Sequence, residues 1–170
     1  GKTTFLKYIR EHSPKKMAVV APTGVAAINA GGVTMHSFFQ LPFGAFIPEN
    51  RGGWNTNSQI NTPNTLFKNL RLSRDKRELM QELELLIIDE VSMLRADMLD
   101  EIDIILRYVR KQPLLPFGGV QVLYIGDLFQ LPAVVSNDEW EVLKEFYKSP
   151  FFFDAQIMQQ SPPVYLELKK

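Results

Sequence analysis

Two carboxylates stand side by side at Asp89-Glu90, directly after four apolar residues, Leu85-Leu86-Ile87-Ile88. An apolar run without polar alternation suits a strand covered on both faces, as in a parallel sheet flanked by helices. Acids at its end sit on the rim of that sheet, where α/β proteins place their ligands. Asp89 there suits a magnesium ion held through water. Glu90 suits the orientation or deprotonation of a hydrolytic water. Two solvated acids at a strand end are the plainer alternative.

Gly1-Lys2-Thr3-Thr4 matches the end of a P-loop, G-x-x-x-x-G-K-S/T. In such a loop backbone N–H groups cradle phosphates, the lysine contacts the β and γ phosphates, and the hydroxyl holds magnesium. Gly-Lys-Thr by itself is a weak signal. Here it opens a helical pattern that precedes a strand, which makes Gly1, Lys2, Thr3 and Thr4 candidates for nucleotide binding. Gly126-Asp127-Leu128-Phe129-Gln130-Leu131-Pro132 ends another apolar strand. A neutral amide at Gln130 can donate to a phosphate oxygen and accept from water, so it can tell bound ATP from ADP. The plainer reading is a Gly-Asp turn followed by a proline-limited loop.

The third unusual stretch is Ala21-Pro22-Thr23-Gly24-Val25-Ala26-Ala27, followed after Gly31-Gly32 by Thr34-Met35-His36-Ser37-Phe38-Phe39. Thr23, Ser37 and the backbone N–H groups near Gly24 can bind backbone phosphates. His36, Phe38 and Phe39 can stack on bases, although Phe38 and Phe39 fit a core better than a platform. His36 has only His12 for company among histidines, which speaks against a metal site.

Positioning these residues requires strands at Met17–Val20, Leu85–Ile88 and Val120–Ile125, with a further strand at Val164–Leu168. Helical patterns lie between them at Thr3–Glu11, Val25–Ala30, Asn64–Leu83 and Ala96–Arg110. The last carries Met98, Leu99, Ile102, Ile105, Leu106 and Val109 on one stripe, with Asp97, Asp100, Glu101 and Asp103 in its first half, where the helix dipole favours acids. Strands alternating with helices argue for an α/β fold with a mainly parallel sheet and helices on both faces. Residues 43–63, rich in Gly, Pro and Asn, read as a long loop. Phe151-Phe152-Phe153 reads as a buried anchor. Lys15-Lys16, the basic run from Lys68 to Arg77 and Lys169-Lys170 read as solvated faces.

At 170 residues and 45% apolar composition the chain has the makings of one domain with a proper core. Its 19 basic and 19 acidic residues cancel, which disfavours a protein that coats nucleic acid but permits a local basic path. The absence of cysteine excludes disulfides and thiolate metal sites and fits a reducing compartment. No apolar run approaches the ~20 residues that span a bilayer. The chain starts inside a motif and stops after a strand-like segment, as a piece of a longer protein does.

Together, Gly1-Lys2-Thr3, the Ala21–Phe39 block, Ile87 to Leu94 and Gly126 to Pro132 resemble the Pif (petite-integration-frequency) helicases, superfamily-one DNA helicases. The order and spacing of these motifs cover nearly the whole chain. The resemblance implies a RecA-like P-loop NTPase domain, the first of two motor domains. It implies a parent enzyme that unwinds duplex and forked DNA 5′ to 3′, using ATP and Mg2+ while moving on single-stranded DNA. It implies that Lys2 is the P-loop lysine and Thr3 the magnesium ligand. Asp89 and Glu90 become the Walker B pair, and Gln130 the γ-phosphate sensor. Thr23-Gly24-Val25 and His36-Ser37-Phe38 then line the single-strand path. The chain departs from the family pattern in lacking the glycine-rich front of the P-loop and the second motor domain. A P-loop switch of another class, such as an initiator or clamp-loading ATPase, also ends an apolar strand in Asp-Glu. A non-enzymatic nucleic-acid-binding module derived from a motor is the third reading. For the chain by itself, the missing P-loop front predicts weak ATP binding and negligible hydrolysis; micromolar Mg-ATP binding by calorimetry would overturn this.

Overall fold

The computed structural model describes residues 1–169. Lys170, read above with Lys169 as a solvated end, lies outside them. In chain order the elements are α1 (Lys2–His12), β1 (Met17–Ala21), α2 (Gly24–Ala30), β2 (Val33–Thr34), α3 (Met35–Phe39), β3 (Ala45–Phe46) and β4 (Ile60–Asn61). They continue as α4 (Pro63–Asn69), α5 (Arg74–Glu82), β5 (Leu85–Ile88), α6 (Ala96–Val109), β6 (Gln121–Tyr124), α7 (Asn137–Leu143) and α8 (Gln156–Gln160).

Four strands form one parallel sheet in the order β2-β1-β5-β6. The register sets Val20 beside Ile88 and Ile88 beside Tyr124. The carboxyl ends of the three longer strands therefore stand level. Alternate residues serve opposite faces. Val20, Leu86, Ile88, Val122 and Tyr124 pack into one core with Leu99, Ile102, Ile105 and Leu106 of α6. Val19, Leu85, Ile87, Leu123 and Ile125 pack into the other with Phe5, Leu6 and Ile9 of α1 and Ala30 of α2. β5 is buried at all four positions, as expected of a strand covered on both faces.

Local chemistry sets the ends of the helices. Thr23 caps α2, its hydroxyl accepting from Ala26 N at 3.2 Å. At the other end Gly31 takes φ 65°, and Gly32 N reaches back to Ala27 O at 2.9 Å. Gly32 is also required by close approach, because a Cβ there would stand 2.2 Å from Val19 O.

Three expectations are corrected. The helix predicted over Asn64–Leu83 is two, because Leu70 turns extended and Ser73 restarts the chain as the cap of α5, accepting from Lys76 N at 3.2 Å. Val164–Leu168 forms no strand: it has no ladder partner, and Val164, Tyr165, Leu166 and Leu168 are exposed. The alternating pattern was there, but a strand needs a neighbour to satisfy its backbone. Residues 43–63 are not one loop. β3 and β4 pair in parallel within them, Ala45 beside Ile60 and Phe46 beside Asn61, which leaves 47–59 as the connection. Of the aromatic triplet, Phe152 is buried while Phe153 is exposed.

The acids of α6 are not solvated. Asp97, Asp100, Glu101 and Asp103 are all buried. Three of them hold backbone. Asp97 accepts from Phe46 N at 3.0 Å and pairs with Arg95 at 2.7 Å. Asp100 accepts from Tyr147 Oη at 2.7 Å, Gln156 N at 3.0 Å and Ile157 N at 2.9 Å. Asp103 accepts from Phe117 N at 2.6 Å and Arg107 Nε at 2.9 Å. Burial nevertheless raises the Asp100 and Asp103 carboxyls above the usual range.

Glu101 differs, since its Oε1 has no hydrogen-bond partner among the described residues. Burial, with Asp97 nearby, raises its pKa from 4.5 to about 8 against the opposing pull of Arg95. The folded state thus keeps a proton that the unfolded chain releases. The associated stability is full below pH 4.5 and is lost as pH rises through about 8. The slope approaches about 1.4 kcal/mol per pH unit between. Glu101→Gln is expected to flatten this decline, measured by urea unfolding at about pH 5.5 and 8. Equal slopes in variant and wild type would refute a neutral Glu101.

Candidate phosphate and DNA site

The carboxyl edge of the sheet carries the candidate residues. Beyond β5 the chain turns sharply. Asp89 N donates to Val20 O at 2.9 Å, Glu90 takes φ 51°, ψ 44°, and Val91 N donates to Ile125 O at 3.0 Å. A glutamate in the left-handed region costs on the order of 1 kcal/mol or more. It persists because the bonds on either side tie the turn to β1 and to the end of β6. Gly126 makes room for it, since a Cβ there would meet Val91 Cγ1 at 2.8 Å and Val91 N at 3.2 Å. Beyond β6, Asp127 builds the next turn: its Oδ1 accepts from Phe129 N and its carbonyl from Gln130 N, both at 3.0 Å.

These two turns and the start of α1 converge on Lys2. Its Nζ stands 3.9 Å from Glu90 Oε1 and donates to Gln130 Oε1 at 3.5 Å. All three side chains reach solvent, so the ion pair adds little to stability. Its value is positional, because residues 88 and 128 positions from Lys2 share one cluster. Gly1 caps α1 without a side chain, and Phe5 N to Gly1 O at 3.0 Å is the first bond of the helix. The N–H groups of Lys2, Thr3 and Thr4 are thus the unpaired donors of its first turn. No acidic residue stands there, so the positive end of the dipole is not neutralised.

Asp89 is half-buried, and its carboxylate makes no ion pair or side-chain hydrogen bond among the described residues. The same holds for the exposed Thr3 hydroxyl. Both are hard oxygen donors. No group of three or more His, Asp or Glu suited to a metal occurs among the described residues. Magnesium at nucleotide sites takes one or two carboxylates, waters and substrate phosphates, a need that the Asp89 carboxylate and the Thr3 hydroxyl fit.

On the β1 and β2 side the edge carries Thr23, Gly24, Val25, His36 and Ser37. Gly24, Val25 and Ser37 are exposed, while Thr23 and His36 are half-buried. Thr34 caps α3, its hydroxyl accepting from Ser37 N at 3.2 Å. Phe38 is corrected: with Phe39 it turns into the core, the two rings edge-on at 4.7 Å, and it offers no surface for a base. The five-residue helix α3 has room for polar groups on only one side, and His36 and Ser37 occupy it. Close to His36, Phe43 is an aromatic left in solvent, its ring 6.1 Å from that of His36 at 27°. Sequence reading passed over Phe43 as part of a loop. A phenylalanine set between Pro42 and Gly44 was the available signal. Lys76, read as part of a solvated face, donates its ammonium to Ser37 O.

A sequence model of the family described as PIF1-like helicase matches residues 1–152. The chain belongs to the PIF1-like helicase family. It is 38% identical over 120 residues to the ATP-dependent DNA helicase PIF1 of Saccharomyces cerevisiae, covering 71% of this chain and 12% of that protein. It is 32% identical over 169 residues to the mouse ATP-dependent DNA helicase PIF1, covering 99% of this chain and 22% of that one. The crystal structure of Bacteroides Pif1 bound to single-stranded DNA matches at 49% identity and a TM-score of 0.80, over 94% of this chain and 34% of that chain. The Bacteroides Pif1 complex with ADP-AlF3 and single-stranded DNA matches at 50% identity and a TM-score of 0.79, over 93% and 33%. The chain therefore spans about a third of these solved relatives and less of the curated ones. The parallel α/β architecture expected from the sequence is the one these PIF1-like domains share. No helix among the described residues is long and apolar enough to cross a membrane.

Gly126→Ala is expected to press on the Val91 turn and lower stability by about 1–3 kcal/mol, the usual cost of overpacking. The urea midpoint reads this directly; an unchanged midpoint would show that the Glu90 turn can yield.

Proposed function

We propose that this chain is the first RecA-like motor domain of an ATP-dependent DNA helicase. In this reading it couples Mg-ATP hydrolysis to 5′-to-3′ movement along single-stranded DNA. The convergence of Lys2, Glu90 and Gln130 carries the reading: three motifs far apart in sequence meet at the carboxyl edge of one sheet. The relatives named as ATP-dependent DNA helicases, and those solved with ADP-AlF3 and with single-stranded DNA, support it.

Lys2, with the N–H groups of the first turn of α1, binds the β and γ phosphates. Phosphate oxygens take the Lys2 ammonium from Glu90 and Gln130. Glu90 is then free to accept a proton from water as the water oxygen attacks the γ phosphorus and the bond to the ADP oxygen breaks. Gln130, released from Lys2, donates its amide to the γ phosphate and so registers whether that phosphate is present. Thr3 and Asp89 would hold a magnesium ion, the Asp89 carboxylate through water, and that ion would supply neutralisation of phosphate charge. Thr23, Gly24, Val25, His36 and Ser37 face the DNA. The second motor domain and a forked duplex are the partners this reading requires of the parent protein.

In the full-length protein Lys2→Ala and Glu90→Gln are each expected to abolish DNA-stimulated ATP hydrolysis and strand separation, with Glu90→Gln still binding ATP. Unwinding and phosphate-release assays check this. Undiminished strand separation by either variant would sink the assignment. DNA-independent hydrolysis without unwinding would favour a P-loop switch of another class.

A further inference from the structure

Phe43 is 82% exposed, although its backbone is firmly held. Asn61, buried at 4% exposure, donates Nδ2 to Phe43 O at 2.8 Å. Gly44 follows at φ +98°, and a Cβ there would stand 2.2 Å from Gln59 O, so a side chain at that position would push away the residue that leads into β4. On the other side Leu41 is buried, and its N–H donates to His36 O at 3.3 Å. A phenylalanine left in water forgoes the ~1.5–3 kcal/mol that burial gives. Here a buried asparagine and an obligatory glycine keep it there, so its exposure is built into the turn.

Its surroundings have the chemistry of a nucleic acid contact. The His36 ring backs it at 6.1 Å and 27°. Burial, with Arg95 nearby, pushes the His36 pKa down. Ser37 O, one residue on, accepts from the Lys76 ammonium and from Gln40 Nε2 at 3.0 Å, which places a cation on the same turn. An open aromatic ring next to a helix whose Ser37 carbonyl holds a cation suits a base and a neighbouring phosphate.

We propose that Phe43 is a platform on which an unpaired base of single-stranded DNA stacks, with the His36 ring behind it and the Lys76 ammonium drawing the adjacent phosphate. This rests on the motor reading above and assigns it a base contact in place of Phe38.

The test uses the full-length protein with Phe43→Ala, Phe43→Leu and Phe43→Trp. Binding of oligothymidine is followed by anisotropy, beside the same strand carrying one abasic spacer moved stepwise along it. Phe43→Ala and Phe43→Leu are expected to weaken binding about tenfold, within the range of one lost stack, while Phe43→Trp retains it. With wild type, one spacer position should cost a similar factor, and Phe43→Ala should be insensitive to that spacer. Ala or Leu variants that bind as wild type does, or losses from variant and spacer that multiply, overturn the inference alone. A wild-type protein that ignores single-stranded DNA overturns the motor reading and this inference with it.

Discussion

The parallel register of β1, β5 and β6 is the constraint on which the rest depends. Val20, Ile88 and Tyr124 stand at one level, so the turns that follow them leave the sheet side by side. Asp89 N bonds to Val20 O and Val91 N to Ile125 O because of that level. A slip of one residue would exchange the two faces of β5, turning Leu86 and Ile88 toward α1 and Ile87 toward α6. All three are apolar, so the cost would fall on the fit of side-chain volumes and on the turn. The acids would then leave the edge out of step with Lys2 and Gln130. The site is a consequence of how the strands are aligned, and two apolar cores hold that alignment from either face.

The second organising force is polar. Three buried carboxylates on α6 accept backbone N–H groups from β3, from the start of α8 and from the turn before β6. Buried charge is costly, and these acids are tolerated because donors surround them. They let one helix fix the ends of several irregular segments that have little apolar surface of their own. Asp97, with Arg95 and Glu139, also ties β3 and α7 to the N-terminus of α6. Arg51, paired with Glu145 at 2.5 Å and lying 4.6 Å from the Trp54 ring centroid, pins the 47–59 connection to the segment after α7.

Parts of this were legible because the determinants are local. The run Leu85–Ile88, the amphipathic stripe of α6 and the Gly31-Gly32 stop each sit within a few residues of the feature they specify. The break between α4 and α5 was also local, in Ser73, but helical periodicity on both sides masked it. The pairing of β3 with β4 was not legible, since two residues in each strand carry no pattern. The α6 acids read only as dipole partners, because the N–H groups they serve come from 14 to 57 positions away.

By itself the sequence determined the chemical inventory: a lysine at a helix start, two acids and an amide at strand ends, and enough apolar periodicity for a covered parallel sheet. Side-chain type and short-range spacing suffice for that. Only the tertiary structure decided which of these meet, and which aromatics face water. Phe38 and Phe43 are the same residue type five positions apart. One is drawn into the core by packing against Phe39 and β1's face; the other is held out by Asn61 and the close approach of Gly44 to Gln59. Burial is settled by contacts between distant segments, and a residue's own neighbours in sequence do not contain them.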